Sequence, residues 1–276
     1  MAITCLGSVR RHSQTEVEFQ IHDDGSLTER DIERLEENLH PCRIIRRSEA
    51  DERLNGVFRN YPAARELRQI YPLALKLLDA PLLAREEVLR FCDSDILFFR
   101  PFSGLCDGLS YPKTNAVFME DRKNSYSLRS WHKAFSTGLS LPWRINSGLL
   151  AFKLIAYDLD YLNWFIGCEG HRKIFHVLEQ TCWAALGKRV GCRKYDPRQV
   201  RVMRDGESYD GLVAGHFTAR TRGLLADFVE RSRRVSVSAE SAKLRTVPPG
   251  NCTAIDLLRY EIDRLRARFR ERNLNV

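Results

Sequence analysis

The segment from Val88 to Phe102, VLRFCDSDILFFRPF, places two aspartates one residue apart inside an otherwise apolar run. Burying an ionised carboxylate without a partner is strongly unfavourable, so Asp93 and Asp95 require something that neutralises them. The apolar run before Asp93 has the length and composition of a strand. In open α/β sheets, ligands bind at the carboxyl ends of the strands. The segment therefore predicts a buried strand that delivers both aspartates to a binding edge.

Strand patterns alternate with helix patterns through the first hundred residues. Thr28 is a predicted N-cap with Asp31 at the capping-box position. The predicted helices are 2–12, 28–39, 63–70 and 72–83, followed by two helices between 158 and 186 that break near Gly167 and Gly170. The predicted strands are 16–24, 42–47, 86–92, 115–120, 145–152, 199–203 and 212–216. This order predicts an α/β fold with a sheet flanked by helices.

The chain has 276 residues and is 43% hydrophobic, which is enough for a sizeable core. Its eight cysteines are scattered without a CxxC pair, which argues against a zinc knuckle or a redox motif. The first residues lack the pattern of a secretory signal, and no apolar run has the length of a bilayer span. These observations predict a cytoplasmic protein.

A net charge of +8 favours anionic partners such as phosphorylated small molecules, anionic lipid or nucleic acid. Much of the excess lies near the C-terminus, where a solvated helix face explains it equally well. The predicted division is a domain at 1–234, a Ser- and Pro-rich linker at 235–253 and an amphipathic helix at 254–276. One face of that helix carries Ile255, Leu258, Ile262, Leu265 and Phe269. It either docks on the domain or contacts an anionic membrane peripherally.

The Asp-Ser-Asp pair has several readings when taken alone. It is compatible with a helix N-cap pair or an exposed turn. Some phosphatases also place a DxD after an apolar strand, but there a small residue usually follows the second aspartate, and Ile96 follows Asp95 here. The reading we favour is a Mg²⁺ or Mn²⁺ site, because hard oxygen ligands suit these cations, which in turn hold phosphate oxygens.

Four segments occur in an order that extends this reading: RFCDSDILFFRPF, RINSGLLAFKL, VLEQTCWAAL and VAGHFTARTR. Together they resemble the GT-A glycosyltransferases, closest to the retaining group that includes glycogenin and bacterial galactosyltransferases. The resemblance covers about residues 2 to 225. It implies a GT-A (Rossmann-like) mixed sheet flanked by helices, with a helical C-terminal tail in this chain. It also implies Mn²⁺- or Mg²⁺-dependent transfer from a nucleotide diphosphate sugar, a UDP-sugar, to a glycan, lipid-linked or protein acceptor.

The resemblance also implies roles for individual residues. As metal ligands it implies Asp93, Asp95 and His216. As donor-binding residues it implies Lys76, Asp93, Asn146, Ser147, Gly148 and Arg222. Beside the reacting carbon it implies Gln180, with Glu179 where the family has aspartate.

Each of these positions also has a plainer explanation. A histidine before a phenylalanine is more often structural, and a helix lysine such as Lys76 is commonly on the surface. From the bare sequence, Glu179 and Gln180 are better explained as a solvated helix flank. For Gly148, the absence of a Cβ gives an independent reason to expect close approach of a ligand.

The chain also departs from the family pattern. Ala219 replaces a glycine, and Arg222 replaces a lysine, which keeps the positive charge but changes its shape. In the family, a strand with base-binding residues precedes the helix that 2–12 resembles, and no counterpart is present here. These departures support an alternative: a degenerate, inactive GT-A domain, or a basic protein that docks on anionic lipid or nucleic acid. Under the main reading, nucleic acid is not an expected partner.

Overall fold

The computed structural model describes residues 1–127, 141–168, 177–218, 221–233 and 240–253, together with 255, 256, 258, 259, 262 and 266. The helices are α1 (Ala2–His12), α2 (Glu29–Leu39), α3 (Arg47–Leu54), α4 (Pro62–Ile70), α5 (Ala74–Leu83), α6 (Leu159–Gly167), α7 (Leu178–Val190) and α8 (Leu225–Arg233). The first strands are β1 (Phe19–His22), β2 (Cys42–Ile45), β3 (Val88–Cys92), β4 (Ile96–Phe98), β5 (Phe102–Ser103), β6 (Ala116–Glu120) and β7 (Leu141–Pro142). The later strands are β8 (Ile145–Lys153), β9 (Cys192–Tyr195), β10 (Val200–Val202), β11 (Ala214–His216), β12 (Ala242–Lys243), β13 (Thr246–Val247) and β14 (Asn251–Cys252).

The central sheet has eight strands among the described residues and is mixed, as predicted. Its main order is β13-β9-β6-β10-β11-β4, and β8 pairs with the other edge of β6 and carries β3 beside it. β6 is parallel to β9 and β10, and β10 is parallel to β11. β8, β3 and β4 run antiparallel to their neighbours. This arrangement gathers the ends of β3, β6 and β11 near the start of β8.

Side chains alternate between two apolar cores because successive residues of a strand face opposite sides of the sheet. Ala116 and Phe118 of β6 enter one core, beneath α4, α5, α6 and α7. Val117 and Met119 enter the other, which also contains Val9 of α1. The capping box of Thr28 and Asp31 is present at the start of α2, as predicted. Sequence patterns that depend on near neighbours are thus confirmed.

Among the described strands, β1 and β3 each pair along one edge only. β1 is parallel to β2 in a separate two-stranded sheet, and β3 is antiparallel to β8. The amides of Gln20 and His22 point away from β2, and those of Arg90 and Cys92 point away from β8. None of these four amides has a hydrogen-bond partner within the described residues. Both strands therefore present an open edge in the described part of the chain.

The predicted linker, where it is described, runs along the domain. β12 pairs with β5, β13 with β9, and β14 with β7. Beyond it, Ile255 and Ile262 are exposed, whereas Leu265 and Phe269 lie outside the described residues. The domain boundaries at 234 and 253 remain a prediction. Every helix within the described residues is too short or too polar to cross a bilayer.

Candidate active site

Three side chains converge where β3, β4 and β11 meet. Asp93 follows β3, Asp95 precedes β4, and His216 ends β11, which pairs antiparallel with β4. The Phe217 amide donates to the Asp95 carbonyl at 2.9 Å, which holds the end of β11 against the aspartates. One ligand atom from each of Asp93, Asp95 and His216 lies within 4.8 Å of the others. The predicted metal ligands are therefore brought together by the fold.

The His216 ring is held by hydrogen bonds at both nitrogens. Nδ1 lies 3.2 Å from Oδ1 of Asn146, and Nε2 lies 2.9 Å from Oδ1 of Asp95. Because the amide oxygen is an acceptor, Nδ1 carries a proton and donates it to Asn146. Nε2 donates to Asp95 when it is protonated, and in the neutral ring its lone pair is available to a cation. Orientation by a hydrogen bond at the other nitrogen is typical of metal-binding histidines.

The aspartates are neutralised by two basic side chains. Lys76 Nζ donates to Oδ1 of Asp93 at 2.9 Å, and Arg222 donates from Nε and Nη2 to Oδ2 of Asp95 at 2.9 and 2.8 Å. Burial tends to raise the pKa of Asp95, but hydrogen bonds from His216 and Arg222 outweigh it and hold the pKa below its ordinary value. Lys76 is only 8% exposed, so the surface-lysine alternative is wrong.

This donor set fits a divalent cation. Two carboxylates and one imidazole, with their ligand atoms gathered and the imidazole oriented by Asn146, supply hard oxygens and a neutral nitrogen. Asp93 Oδ2 is 3.7 Å from His216 Nε2 without a hydrogen bond between them, so it is available for coordination. The residues that would hold the cation are Asp93, Asp95 and His216.

An irregularity in β8 shapes the wall beside this group. The register with β6 shifts between Phe118 and Met119, which leaves Ser147, Gly148 and Leu149 without opposite residues on β6. The Gly148 carbonyl instead accepts from the Asp93 amide at 2.7 Å. A Cβ on Gly148 would lie 2.6 Å from Cε1 of His216. The glycine is therefore required by the histidine ring that packs on it, a reason that the sequence pattern did not reveal.

Glu179 is 5% exposed near the start of α7, so the solvated-flank alternative is wrong for it. Its Oε2 accepts from Ser147 Oγ at 2.9 Å, and Oε1 lies 3.7 Å from Lys76 Nζ without a hydrogen-bond partner. Burial raises the pKa of Glu179 to about 7, with Lys76 opposing and Asp93 adding to the rise. A carboxyl group of this kind titrates near neutral pH.

Gln180 is also buried, and it points to a residue that the sequence reasoning missed. Its Nε2 donates to Oδ2 of Asp121 at 3.1 Å and to the Ser125 carbonyl at 3.0 Å. Asn146 Nδ2 lies 3.4 Å from the same Asp121 oxygen. Asp121 directly follows β6, and a charged residue at the carboxyl end of an apolar strand was the available signal.

The structure therefore brings together the predicted site residues of α5, β3, β8, α7 and β11, with Arg222 reaching Asp95 from the segment after β11. Ala219, the departure from the family glycine, lies outside the described residues.

Neither protein-family models nor curated protein sequences match the chain. Among solved structures, the fold is similar to that of mouse xyloside xylosyltransferase 1 in its apo form, with a TM-score of 0.52 and 12% identity over 80% of this chain and 92% of that one. Galactosyltransferase LgtC in complex with donor and acceptor sugar analogs gives a TM-score of 0.49 and 14% identity, covering 84% of this chain and 90% of that one. At these identities the likeness concerns the fold: the chain has the α/β GT-A fold.

Proposed function

We propose that this chain is a metal-dependent glycosyltransferase that moves a sugar from a nucleotide diphosphate sugar, specifically a UDP-sugar, to a glycan, lipid-linked or protein acceptor. The observation that carries the proposal is the convergence of Asp93, Asp95 and His216 at a strand-end edge of a GT-A sheet. The structural neighbour with the higher TM-score is named as a xylosyltransferase, which agrees in reaction class.

The charges of the site residues account for binding of the donor. A cation held by Asp93, Asp95 and His216 would supply Lewis-acid stabilisation of negative charge on the leaving diphosphate. The Arg222 guanidinium is 53% exposed and adjoins the metal ligands, so it is placed to bind phosphate oxygens. The Lys76 ammonium is buried between Asp93 and Glu179 and fixes the orientation of the Asp93 carboxylate.

The proposal puts the donor sugar beside these ligands, on the side of α7. Asn146, Ser147 and Gly148 form the wall, and Gln180 approaches from α7. The Gln180 amide is a weak nucleophile and is bound to Asp121, so it positions the sugar and forms no covalent intermediate. Retention of configuration and a hexose as the transferred sugar follow from the family resemblance alone.

Calorimetry with UDP, with and without Mn²⁺, tests the proposal. We expect UDP to bind only with Mn²⁺, and expect both together to raise the melting temperature because they bind the native state selectively. Asp95→Asn should abolish the shift relative to its own metal-free baseline. Asp107→Asn is the matched control, since Asp107 pairs with Lys243 in another part of the described structure.

The same experiment distinguishes the alternative of an inactive domain or a basic binding protein. UDP binding that is independent of Mn²⁺, or a shift retained in Asp95→Asn, would contradict the metal assignment. Absence of UDP binding under all conditions would favour the alternative.

A further inference from the structure

A recess adjoins Asp121 at the end of β6. Its volume is about 190 Å³, and Arg122, Arg144, Arg198 and Arg201 contribute to its lining. Asp121 also lines it, while Oδ2 of this residue is bonded to Gln180 and lies near Asn146. The recess is therefore connected to the proposed donor site through a single side chain.

The carboxylates of the recess are already used by other partners. Glu120 Oε2 accepts from Lys194 Nζ at 2.6 Å. Asp121 Oδ2 accepts from Gln180, and its Oδ1 accepts from the Arg122 amide at 2.6 Å. The remaining Glu120 oxygen, Oε1, is 3.9 Å from Arg144 Nη1, too far for a hydrogen bond.

The four arginines differ in how fully they are paired. Arg198 makes a two-pronged contact with Asp196 at 3.0 and 2.8 Å, and Arg122 is bonded to Glu207 and to the Val202 carbonyl. These two guanidinium groups are therefore occupied.

Arg144 and Arg201 have hydrogen-bond donors without acceptors. Arg144 Nη1 lies 3.9 Å from Glu120, beyond hydrogen-bond distance, and its Nε is buried without a partner. Arg201 donates to the Ser208 carbonyl at 3.1 Å, and its buried Nε is 3.8 Å from Glu207 Oε2, which is an ion pair but not a hydrogen bond. Buried donors normally have partners, so these two side chains indicate a missing acceptor.

The charges around the recess also favour an additional anionic acceptor. Burial lowers the pKa of Arg122, and although Glu207 opposes this, Arg204 and Arg201 lower it further. Positive charge is thus crowded at the recess. An anion placed there would relieve repulsion and supply acceptors in the planar geometry that guanidinium groups recognise.

We propose that this recess binds an anionic group, a phosphate or a carboxylate, carried by the acceptor sugar. The inference rests on the proposed function, because it takes the donor sugar to lie on the Asn146 and Gln180 side of Asp121. An anchored anion at Arg144 and Arg201 holds the rest of the acceptor beside Asp121, next to the reacting carbon. A neutral acceptor would bring no charge to complement these arginines, whose nearest carboxylates are Glu120 at 3.9 Å and Glu207 at 3.8 Å.

Binding of small probes tests the proposal. Glucose 6-phosphate and glucuronate are titrated into the full chain by calorimetry without metal or nucleotide, with glucose as the neutral probe. We expect at least one anionic probe to bind at least about tenfold more tightly than glucose, and its affinity to fall with added salt. Arg144→Gln/Arg201→Gln should lose at least about tenfold in affinity, equivalent to about 1.4 kcal/mol.

Two further variants keep the test decisive. Arg189→Gln is the control, because Arg189 pairs with Asp158 away from the recess, and it should bind like the unchanged chain. Arg144→Lys keeps the charge and removes the planar fork, so it should be intermediate and serves if the double variant does not fold. Tighter binding of glucose 6-phosphate identifies phosphate, and tighter binding of glucuronate identifies carboxylate.

Equal binding of all three probes, or an anion affinity unchanged in the double variant and in Arg144→Lys, would overturn the proposal. UDP–Mn²⁺ binding with no anion binding would reject the recess and leave the transferase. Anion binding without UDP–Mn²⁺ binding would reject the proposed transferase function and leave the recess as an anion site.

Discussion

The substitution Glu179→Gln measures how much stability the folded protein loses when the buried carboxyl group of Glu179 ionises. In the folded protein, burial raises the pKa of Glu179 from its ordinary 4.5 to about 7. The unfolded chain therefore loses this proton at lower pH than the folded chain. Stability associated with the protonated carboxyl group is present below pH 4.5 and is lost as the pH rises through 7. Glutamine keeps the shape, and its amide oxygen can still accept from Ser147.

The magnitude follows from the same two values. A rise from 4.5 to about 7 corresponds to about 3 kcal/mol of stability lost once the group is fully ionised. The penalty is about 1 kcal/mol at pH 5 and about 3 kcal/mol at pH 8. The free energy of unfolding of Glu179→Gln, relative to that of the unchanged chain, should therefore rise by about 2 kcal/mol from pH 5 to pH 8.

Urea unfolding from pH 5 to 8.5, in EDTA, measures this difference. Glu36→Gln, at an exposed position of α2, should give a difference that does not widen with pH. If the free energies of unfolding of the unchanged chain and Glu179→Gln stay parallel across this range, or converge as the pH rises, the carboxyl group is not held protonated by burial.

Three other substitutions address the metal ligands. Gly148→Ala should weaken Mn²⁺ binding at least about tenfold, measured by electron paramagnetic resonance of free Mn²⁺, because the new Cβ displaces the His216 ring; unchanged affinity would contradict this packing. Arg222→Gln should bind Mn²⁺ alone more tightly, since Asp95 is released from the guanidinium, but UDP–Mn²⁺ more weakly; calorimetry that shows both affinities moving together would count against this dual role. Lys76→Met should lower the free energy of unfolding by about 3–5 kcal/mol, because it removes the cation that pairs with Asp93 and with buried Glu179; a decrease of less than about 1 kcal/mol, measured by urea unfolding, would show that these carboxylates find other partners.

Local patterns predicted most of the helices and strands, while contacts between distant segments were harder to predict. Thr28 and Asp31 are three residues apart, so the cap of α2 could be read directly from the sequence. The burial of Glu179 depends on Lys76 and Ser147, which are 103 and 32 residues away along the chain. From the sequence, the negative charge of Glu179 favoured the prediction that it lies on a solvated helix flank.

Asp121 shows the same difficulty for the site. It lies among Glu120, Arg122 and Lys123, a charged run that is typical of a solvated loop. Asn146 lies opposite Met119 on the neighbouring strand, and its amide comes within 3.4 Å of the Asp121 carboxylate. The metal ligands were predictable because the order of four segments resembles a known family, whereas the recess lined by Arg144 and Arg201 has no comparable motif.

The open edges of β1 and β3 have a consequence for hydrogen exchange. The amides of Gln20, His22, Arg90 and Cys92 lack acceptors within the described residues, whereas neighbouring amides of both strands are bonded in ladders. Exchange should therefore alternate residue by residue along each strand, fast at these four positions and slow between them. β1 and β2 also form a sheet of their own, so their amides should become exchangeable together, at a lower free energy of opening than those of β6 and β8 in the central sheet.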